Sequence, residues 1–163
     1  MTAIVACFGN VLRGDDGFGP AVAARLSTEP LPKGVRVLEV GIGGIHLVQE
    51  LMAGAELLLV IDAVDLGRPA GTVVVQRPEV LDVSTLTPDR QRDELADMHL
   101  ATPARALMMA HGLGVLPATT LVVGVQTTDT ERMGQGLSER SATAVPVAVA
   151  EVRRLLEQHL QPT

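Results

Sequence analysis

Four short runs rich in aliphatic and β-branched residues, Ala3 to Phe8, Val35 to Val40, Leu57 to Ile61 and Thr120 to Val125, place apolar side chains on successive positions, with Arg36 and Glu39 interrupting the second. Successive side chains of a strand point to opposite sides, so this is the pattern of strands covered on both faces. A fifth run, Thr72 to Gln76, follows the third with no helix-period segment between them. Elsewhere apolar residues recur at helical spacing, in Gly17 to Leu26, Ile45 to Met52 and Pro103 to His111. Further on, Val145, Val149, Val152, Leu156 and Leu160 fall on one helical stripe, with Pro146 suited to the first turn of a helix starting near Ala144. Strands alternating with helices in this way predict an α/β fold, a single-domain three-layer α/β/α sandwich around a mostly parallel five-stranded sheet. Thr72 to Gln76, reached without a crossover helix, is expected as an antiparallel edge strand.

Composition narrows the partners. The 163 residues carry 13 Lys and Arg against 19 Asp and Glu, a net charge of −6 with no Lys/Arg-rich block. Nucleic acid and anionic membranes require a basic face, and neither is expected as a partner. Two Phe and no Trp or Tyr leave few stacking platforms for single-stranded nucleic acid and make the core aliphatic. At 47% hydrophobic, a chain of this length can bury roughly 70% of its unfolded surface without a disulfide or structural metal. No apolar run approaches the roughly 18 residues of a membrane helix. Cys7 is the single cysteine and cannot pair internally, and the sequence opens in a strand pattern rather than a signal-type charged region, so a cytoplasmic location is expected. No linker or repeat divides residues 1–163, which are read as one domain. The polar stretch Arg77 to Met98 reads as a solvated acidic loop or short surface helix.

Open parallel sheets bind ligands beyond the carboxyl ends of their strands, so the residues after each strand carry the functional question. They are Gly9 to Gly19, Gly41-Ile42-Gly43-Gly44, Asp62-Ala63-Val64-Asp65 and Gln126-Thr127-Thr128-Asp129. The first turn lacks the G-x-G-x-x-G spacing, no Walker-type loop occurs, and two carboxylates at a helix start are the wrong sign for phosphate. Nucleotide binding is therefore a poor fit. Asp15 and Asp16 admit two readings, a helix N-cap and a functional carboxylate, and both roles can coexist in adjacent residues. Asp62 follows five aliphatic residues, where a carboxylate is costly unless hydrogen-bonded or bound to a cation; Asp65 is the better candidate for capping the turn. Of the four histidines, His46 and His111 fall in helix patterns and His159 at a helix end, whereas His99 lies between the charged stretch and the next helix, able to face the strand ends. Two carboxylates and an imidazole suit a divalent ion such as nickel or zinc. No G-x-S-x-G elbow or H-E-x-x-H occurs, and Cys7 lies inside a buried strand, so Ser or Cys nucleophilic catalysis has no support.

The ordered set Gly9-Asn10-x-Leu12-x-x-Asp15-Asp16-Gly17-x-Gly19, Gly43-Gly44, Asp62-Ala63-x-Asp65, His99, Val123-Gly124-Val125-Gln126 and Gly136-Leu137-Ser138 resembles the nickel–iron hydrogenase maturation proteases over essentially the whole chain. The resemblance implies a processing endopeptidase with Asp16 and Asp62 as catalytic residues and Asp16, Asp62 and His99 as metal contacts. It implies that the nickel is supplied by the hydrogenase large-subunit precursor as a signal that metal insertion is complete, with no organic cofactor. Members cut just after a C-terminal Cys-x-x-Cys-x-x-His/Arg motif. Whether nickel polarises the scissile carbonyl or an aspartate activates water is left open by the residues. Cys7 replaces the usual Gly two residues before Gly9, and Glu39-Val40-Gly41-Ile42 stands where Asp-Gly-Gly-Thr is common. These departures motivate the alternative, a non-catalytic α/β binding or chaperone module for a hydrogenase-type partner.

Overall fold

The computed structural model describes residues 1–41, 44–96, 102–127, 129–130 and 132–160. Its strands β1 (Ala3–Phe8), β2 (Val35–Val40), β3 (Leu57–Val64), β4 (Val73–Gln76) and β5 (Thr119–Gln126) form one sheet in the order β2-β1-β3-β5-β4. Neighbours β1 and β2, β1 and β3, and β3 and β5 are parallel, while β4 runs antiparallel to β5 at the edge. The helices are α1 (Phe18–Leu26), α2 (Ile45–Met52), α3 (Pro88–Ala96), α4 (Pro103–Gly112) and α5 (Glu139–Leu160). This is the expected sandwich, with its antiparallel edge strand in place.

The period-2 geometry of the central strands divides the core. Ala3, Val5 and Cys7 of β1 and Leu57, Leu59 and Ile61 of β3 pack with Phe18, Val22 and Leu26 of α1 and Ala148, Val152 and Leu156 of α5. Ile4, Ala6, Phe8, Leu58 and Val60 pack on the other face with Leu47 and Leu51 of α2 and Ala106, Leu107 and Ala110 of α4. All six residues of β1 are buried. The aliphatic core is thus two layers laid on one sheet, and its strand ends converge on one edge.

Several boundaries differ from the sequence reading, each for an identifiable reason. β2 is an edge strand with one neighbour, and of its residues only Val40 is fully buried. Its Arg36 is exposed and pairs with Glu50 of α2. β3 continues three residues past the aliphatic run, because its ladder with β5 extends through Asp62↔Gly124, Ala63↔Val125 and Val64↔Gln126. Helix α5 begins at Glu139, five residues before Ala144, so Pro146 lies inside it rather than in its first turn. Both Pro146 and Ala142, whose carbonyl loses its i→i−4 partner, are exposed, and water can take the vacated acceptor. The acidic stretch holds a 3-10 turn, Val83–Thr85, and the surface helix α3.

Helix α1 lies directly on the end of β1. A Cβ built on Gly19 would stand 1.9 Å from the carbonyl oxygen of Phe8 and 2.9 Å from its nitrogen, both backbone atoms that cannot swing away. Gly19→Ala is expected to lower stability by about 3 kcal/mol, the upper end of overpacking costs. Gly41→Ala, where a Cβ meets nothing within 4 Å, is expected to stay within about 0.5 kcal/mol. Urea unfolding monitored by circular dichroism measures both.

Candidate functional site

The chain leaves β1 through Gly9, at φ +133°, where a Cβ would collide with the carbonyl oxygen of Asp16 at 1.9 Å. Asn10 then organises the turn. Its side-chain Oδ1 accepts from the Leu12 N–H at 2.9 Å and its carbonyl accepts from the Arg13 N–H at 3.1 Å. Its own N–H donates to Asp16 Oδ2 at 3.0 Å, tying the start of the turn to the carboxylate near its end. A single 3-10 turn, Gly14–Gly17, joins this loop to α1.

Asp15 and Asp16 leave this turn with different fates. Asp15 is 2% exposed and caps neither the 3-10 turn nor α1; its two oxygens accept from the Ser138 N–H at 2.7 Å and the Ser138 hydroxyl at 2.8 Å, 123 residues along the chain. Ser138 also receives the Ala142 N–H on its carbonyl at 2.8 Å and the Ser141 N–H on its hydroxyl at 3.4 Å, so it caps α5 while holding Asp15. The Asp15 N–H donates to the Asp129 carbonyl at 2.8 Å. The N-cap reading of Asp15 is therefore replaced by a tertiary clasp. Asp16 stays half-buried and lines a cavity of about 350 Å³ with Arg13, Ala63, Val64, Asp65, Thr127 and Thr130.

Asp62 lies within β3, at the height where Gly124 is its partner on β5. It accepts from the Ala63 N–H at 2.9 Å. Burial pushes its carboxyl up to about 7, and the negative charge of Asp16 pushes in the same direction, partly offset by the Ala63 N–H. A carboxyl group that exchanges its proton near neutrality beside a second carboxylate has the properties of a general acid and base.

No helix follows β3, so Asp65 cannot cap one. It accepts from the Gly67 N–H at 3.4 Å and from Gln126 Nε2 at 3.0 Å, and these donors hold it below the usual carboxylate range. Gln126, 2% exposed, also takes the Leu66 and Arg68 N–H groups on Oε1 at 2.7 and 3.2 Å, bracing the whole 65–68 turn from the end of β5. Sequence reasoning placed Gln126 and Arg13 in the turns that follow β5 and β1 without giving either a role; a polar side chain closing an aliphatic strand was the available signal for the first.

His99 lies outside the described residues, so the predicted three-residue set is placed for Asp16 and Asp62 alone. Among the described residues no group of three His, Cys, Asp or Glu forms a metal-holding cluster. His46 and His111 are exposed on α2 and α4, and His159 is half-buried near the end of α5 with Nδ1 2.9 Å from the Leu155 carbonyl oxygen. Cys7 is buried, its thiol pushed up to about 12 by burial and by Glu39, which makes it inert as a nucleophile. Glu39 lines a second groove with Val11, Ala21, Ala24 and Leu137.

Residues 20–155 match the family model described as hydrogenase maturation protease. The chain is 32% identical over 154 residues to the hydrogenase expression/formation protein HupD of Rhodobacter capsulatus, covering 94% of this chain and 70% of that one. It is also 32% identical over 149 residues to a putative hydrogenase maturation protease of Methanocaldococcus jannaschii, covering 90% of each. Among solved structures, the hydrogenase 2 maturation peptidase from Thaumarchaeota archaeon SCGC_AB-539-E09 superposes with a TM-score of 0.67 at 32% identity, over 96% of this chain and 98% of that one. The hydrogenase maturating endopeptidase HybD of Escherichia coli shares the fold, with a TM-score of 0.74 at 22% identity over 97% and 93% of the two chains.

Two predictions follow from the site's electrostatics. Asp62 binds its proton more tightly folded than unfolded, so wild-type stability falls as pH rises from about 4 to about 7. Asp62→Asn lacks that loss and is expected to be more stable than wild type at pH 8, by up to about 4 kcal/mol, with the difference shrinking toward pH 4. Denaturant titrations at several pH values read it directly. Ser138→Ala removes one of the two bonds to the buried Asp15 and is expected to cost about 1.5–3 kcal/mol, measured as a lowered unfolding midpoint.

Proposed function

The chain belongs to the hydrogenase maturation protease family, and from that premise we propose that it is an endopeptidase removing the C-terminal extension of a nickel-loaded nickel–iron hydrogenase large-subunit precursor. Nickel enters as part of the substrate, and Asp16, Asp62 and His99 recognise it. The observation that carries the reading is Asp62, a carboxyl group with its proton exchange near pH 7, whose charge interacts with Asp16, and Asp16 in turn lines a cavity of about 350 Å³. Two carboxylates on separate elements hold a divalent ion weakly on their own, which suits an ion presented by the substrate together with its remaining ligands.

Hydrolysis needs a base for water and an acid for the leaving amine. Asp62 as carboxylate takes a proton from the attacking water while the water oxygen bonds to the scissile carbonyl carbon and the carbonyl electron pair moves to its oxygen. The same proton then passes to the departing nitrogen as the C–N bond breaks, and the carboxylate returns. Burial, reinforced by the negative charge of Asp16, brings the Asp62 proton exchange near neutrality, and Asp16 is itself fixed by the Asn10 N–H at 3.0 Å. The turn 65–68, braced by Gln126, forms the opposite boundary of β3's functional end.

The test is the intact mass of a large-subunit precursor, nickel-loaded and nickel-free, after incubation with the protein. Loss of a C-terminal peptide from the loaded form alone is the expected result, and Asp62→Asn is expected to slow it by about 10²–10⁴-fold while retaining the native circular dichroism spectrum. Stable capture of an uncut loaded precursor by the wild-type protein would instead establish the non-catalytic binding module that the Glu39 to Ile42 departures suggest.

A further inference from the structure

The ladder between β3 and β5 ends at Val64↔Gln126, so Asp65 and Thr127 are the next residues on two parallel neighbours. The Thr127 N–H donates to the Val64 carbonyl at 3.1 Å and keeps the two chains together one step further. Both residues line the cavity of about 350 Å³ that Asp16 also lines. One buried amide fixes them as a pair: Gln126 Nε2 donates to Asp65 Oδ1 and to the Thr127 carbonyl, at 3.0 Å each. Its Oε1 takes the Leu66 and Arg68 N–H groups at the same time. Every bond of a 2% exposed glutamine thus goes into holding an exposed turn against a strand end.

That scaffold leaves two acceptors uncommitted. The donors to Asp65, Gln126 Nε2 and the Gly67 N–H, are neutral and both reach Oδ1. Among the described residues Oδ2 accepts no hydrogen bond and Asp65 forms no ion pair, while the two donors hold the carboxyl below the usual carboxylate range, so its charge stands at neutral pH. Thr127 is only 5% exposed, yet its hydroxyl makes no hydrogen bond among the described residues. A buried hydroxyl is unfavourable without a partner, and this one lines the cavity, where a ligand can supply it. A carboxylate oxygen repels an anion, and among the described residues no group of three His, Cys, Asp or Glu stands ready to hold a metal ion here. The group that fits a charged acceptor beside a neutral one is an ammonium or guanidinium, which carries its charge on several N–H donors.

We propose that Asp65 and Thr127 form a subsite for a basic side chain of the precursor, Lys or Arg, with Asp65 Oδ2 taking its charge and the Thr127 hydroxyl accepting a further N–H. The proposal rests on the reading above for the identity of the partner. The subsite shares its cavity with Asp16, so a side chain seated there brings the segment that bears it beside a carboxylate assigned to nickel recognition. Asp65 is the specificity-determining group, and Gln126 is a positioning residue that acts through Asp65 and Thr127. No proton moves and no covalent bond changes at this subsite; its contribution is to affinity and to the register in which the precursor lies.

The experiment measures KM, kcat and the dissociation constant for wild type, Asp65→Asn and Thr127→Val on one nickel-loaded precursor, then repeats them with each Lys and Arg of the precursor's C-terminal segment changed singly to Gln. Asp65→Asn is nearly isosteric and can keep both donors on Oδ1, so its unfolding midpoint is expected to match wild type. It is expected to raise KM by about 3–10-fold with kcat within about twofold, a rise that shrinks as salt is added. Thr127→Val is expected to raise KM by about 2–5-fold. One Gln substitution in the precursor is expected to raise the wild-type KM by a similar factor and to abolish the effect of Asp65→Asn, the signature of a coupled pair. An unchanged KM in Asp65→Asn, or a rise that persists on every precursor variant, overturns the proposal and leaves the endopeptidase reading standing. Failure of the wild type to cut the loaded precursor overturns that reading instead, and the dissociation constants then decide the subsite: the same coupling supports it, and its absence, or no binding, overturns it.

Discussion

The clasp between Asp15 and Ser138 joins the two parts of the chain that the site requires. A carboxylate with 2% exposure is unfavourable in an aliphatic interior unless its oxygens are satisfied, and here an amide and a hydroxyl from one serine satisfy both. Because Ser138 also caps α5, the same interaction sets where the longest helix starts and where the turn after β1 ends. Asp16 is the next residue, so its position in the cavity inherits that anchoring. Gly9 and Gly19 supply the complement: both bring backbone to within a distance no side chain tolerates, and the turn between them has little freedom left.

The site gathers charges of both signs in a small volume. Burial at the end of β3, with the charge of Asp16 second, raises the proton affinity of Asp62, while the Gln126 side chain and then the Gly67 N–H lower that of Asp65. Two carboxyl groups three residues apart on one strand end are thereby separated into a group that exchanges protons near neutrality and a group that stays ionised. The separation comes from their neighbours rather than from their residue type. Asp62 is the half-buried one, inside the central strand β3, and Asp65 the one in a braced, exposed turn.

Much of the architecture was legible in the sequence because it follows from burial. Consecutive apolar positions in β1 and β3 could only be central strands, and the missing crossover before Val73 could only give an antiparallel pairing. Features that failed to read were those stabilised by distant partners. Glu139 to Thr143 carry no apolar stripe, so the first turns of α5 escaped notice, although Ser141 and Ala144 are buried there. Asp15 looked like a local cap because its true partner lies 123 residues away. Asp62 was placed after its strand since the apolar run stops at Ile61, whereas pairing with Gly124 carries the strand past it. His99, the third member of the predicted site, lies outside the described residues.

The ladder between β3 and β5 and the clasp between Asp15 and Ser138 also order events in time. Asp15 and Asp62 are translated early, on β1's turn and on β3, but the clasp that holds Asp15 and the strand partner of Asp62 are translated much later, at the start of α5 and in β5. Domains fold largely as units once such long-range contacts become available. A nascent chain extended only through α4 therefore carries the turn after β1 and the end of β3 without the β5 ladder and the Ser138 clasp that brace them, and both are completed only when the last helix begins to emerge.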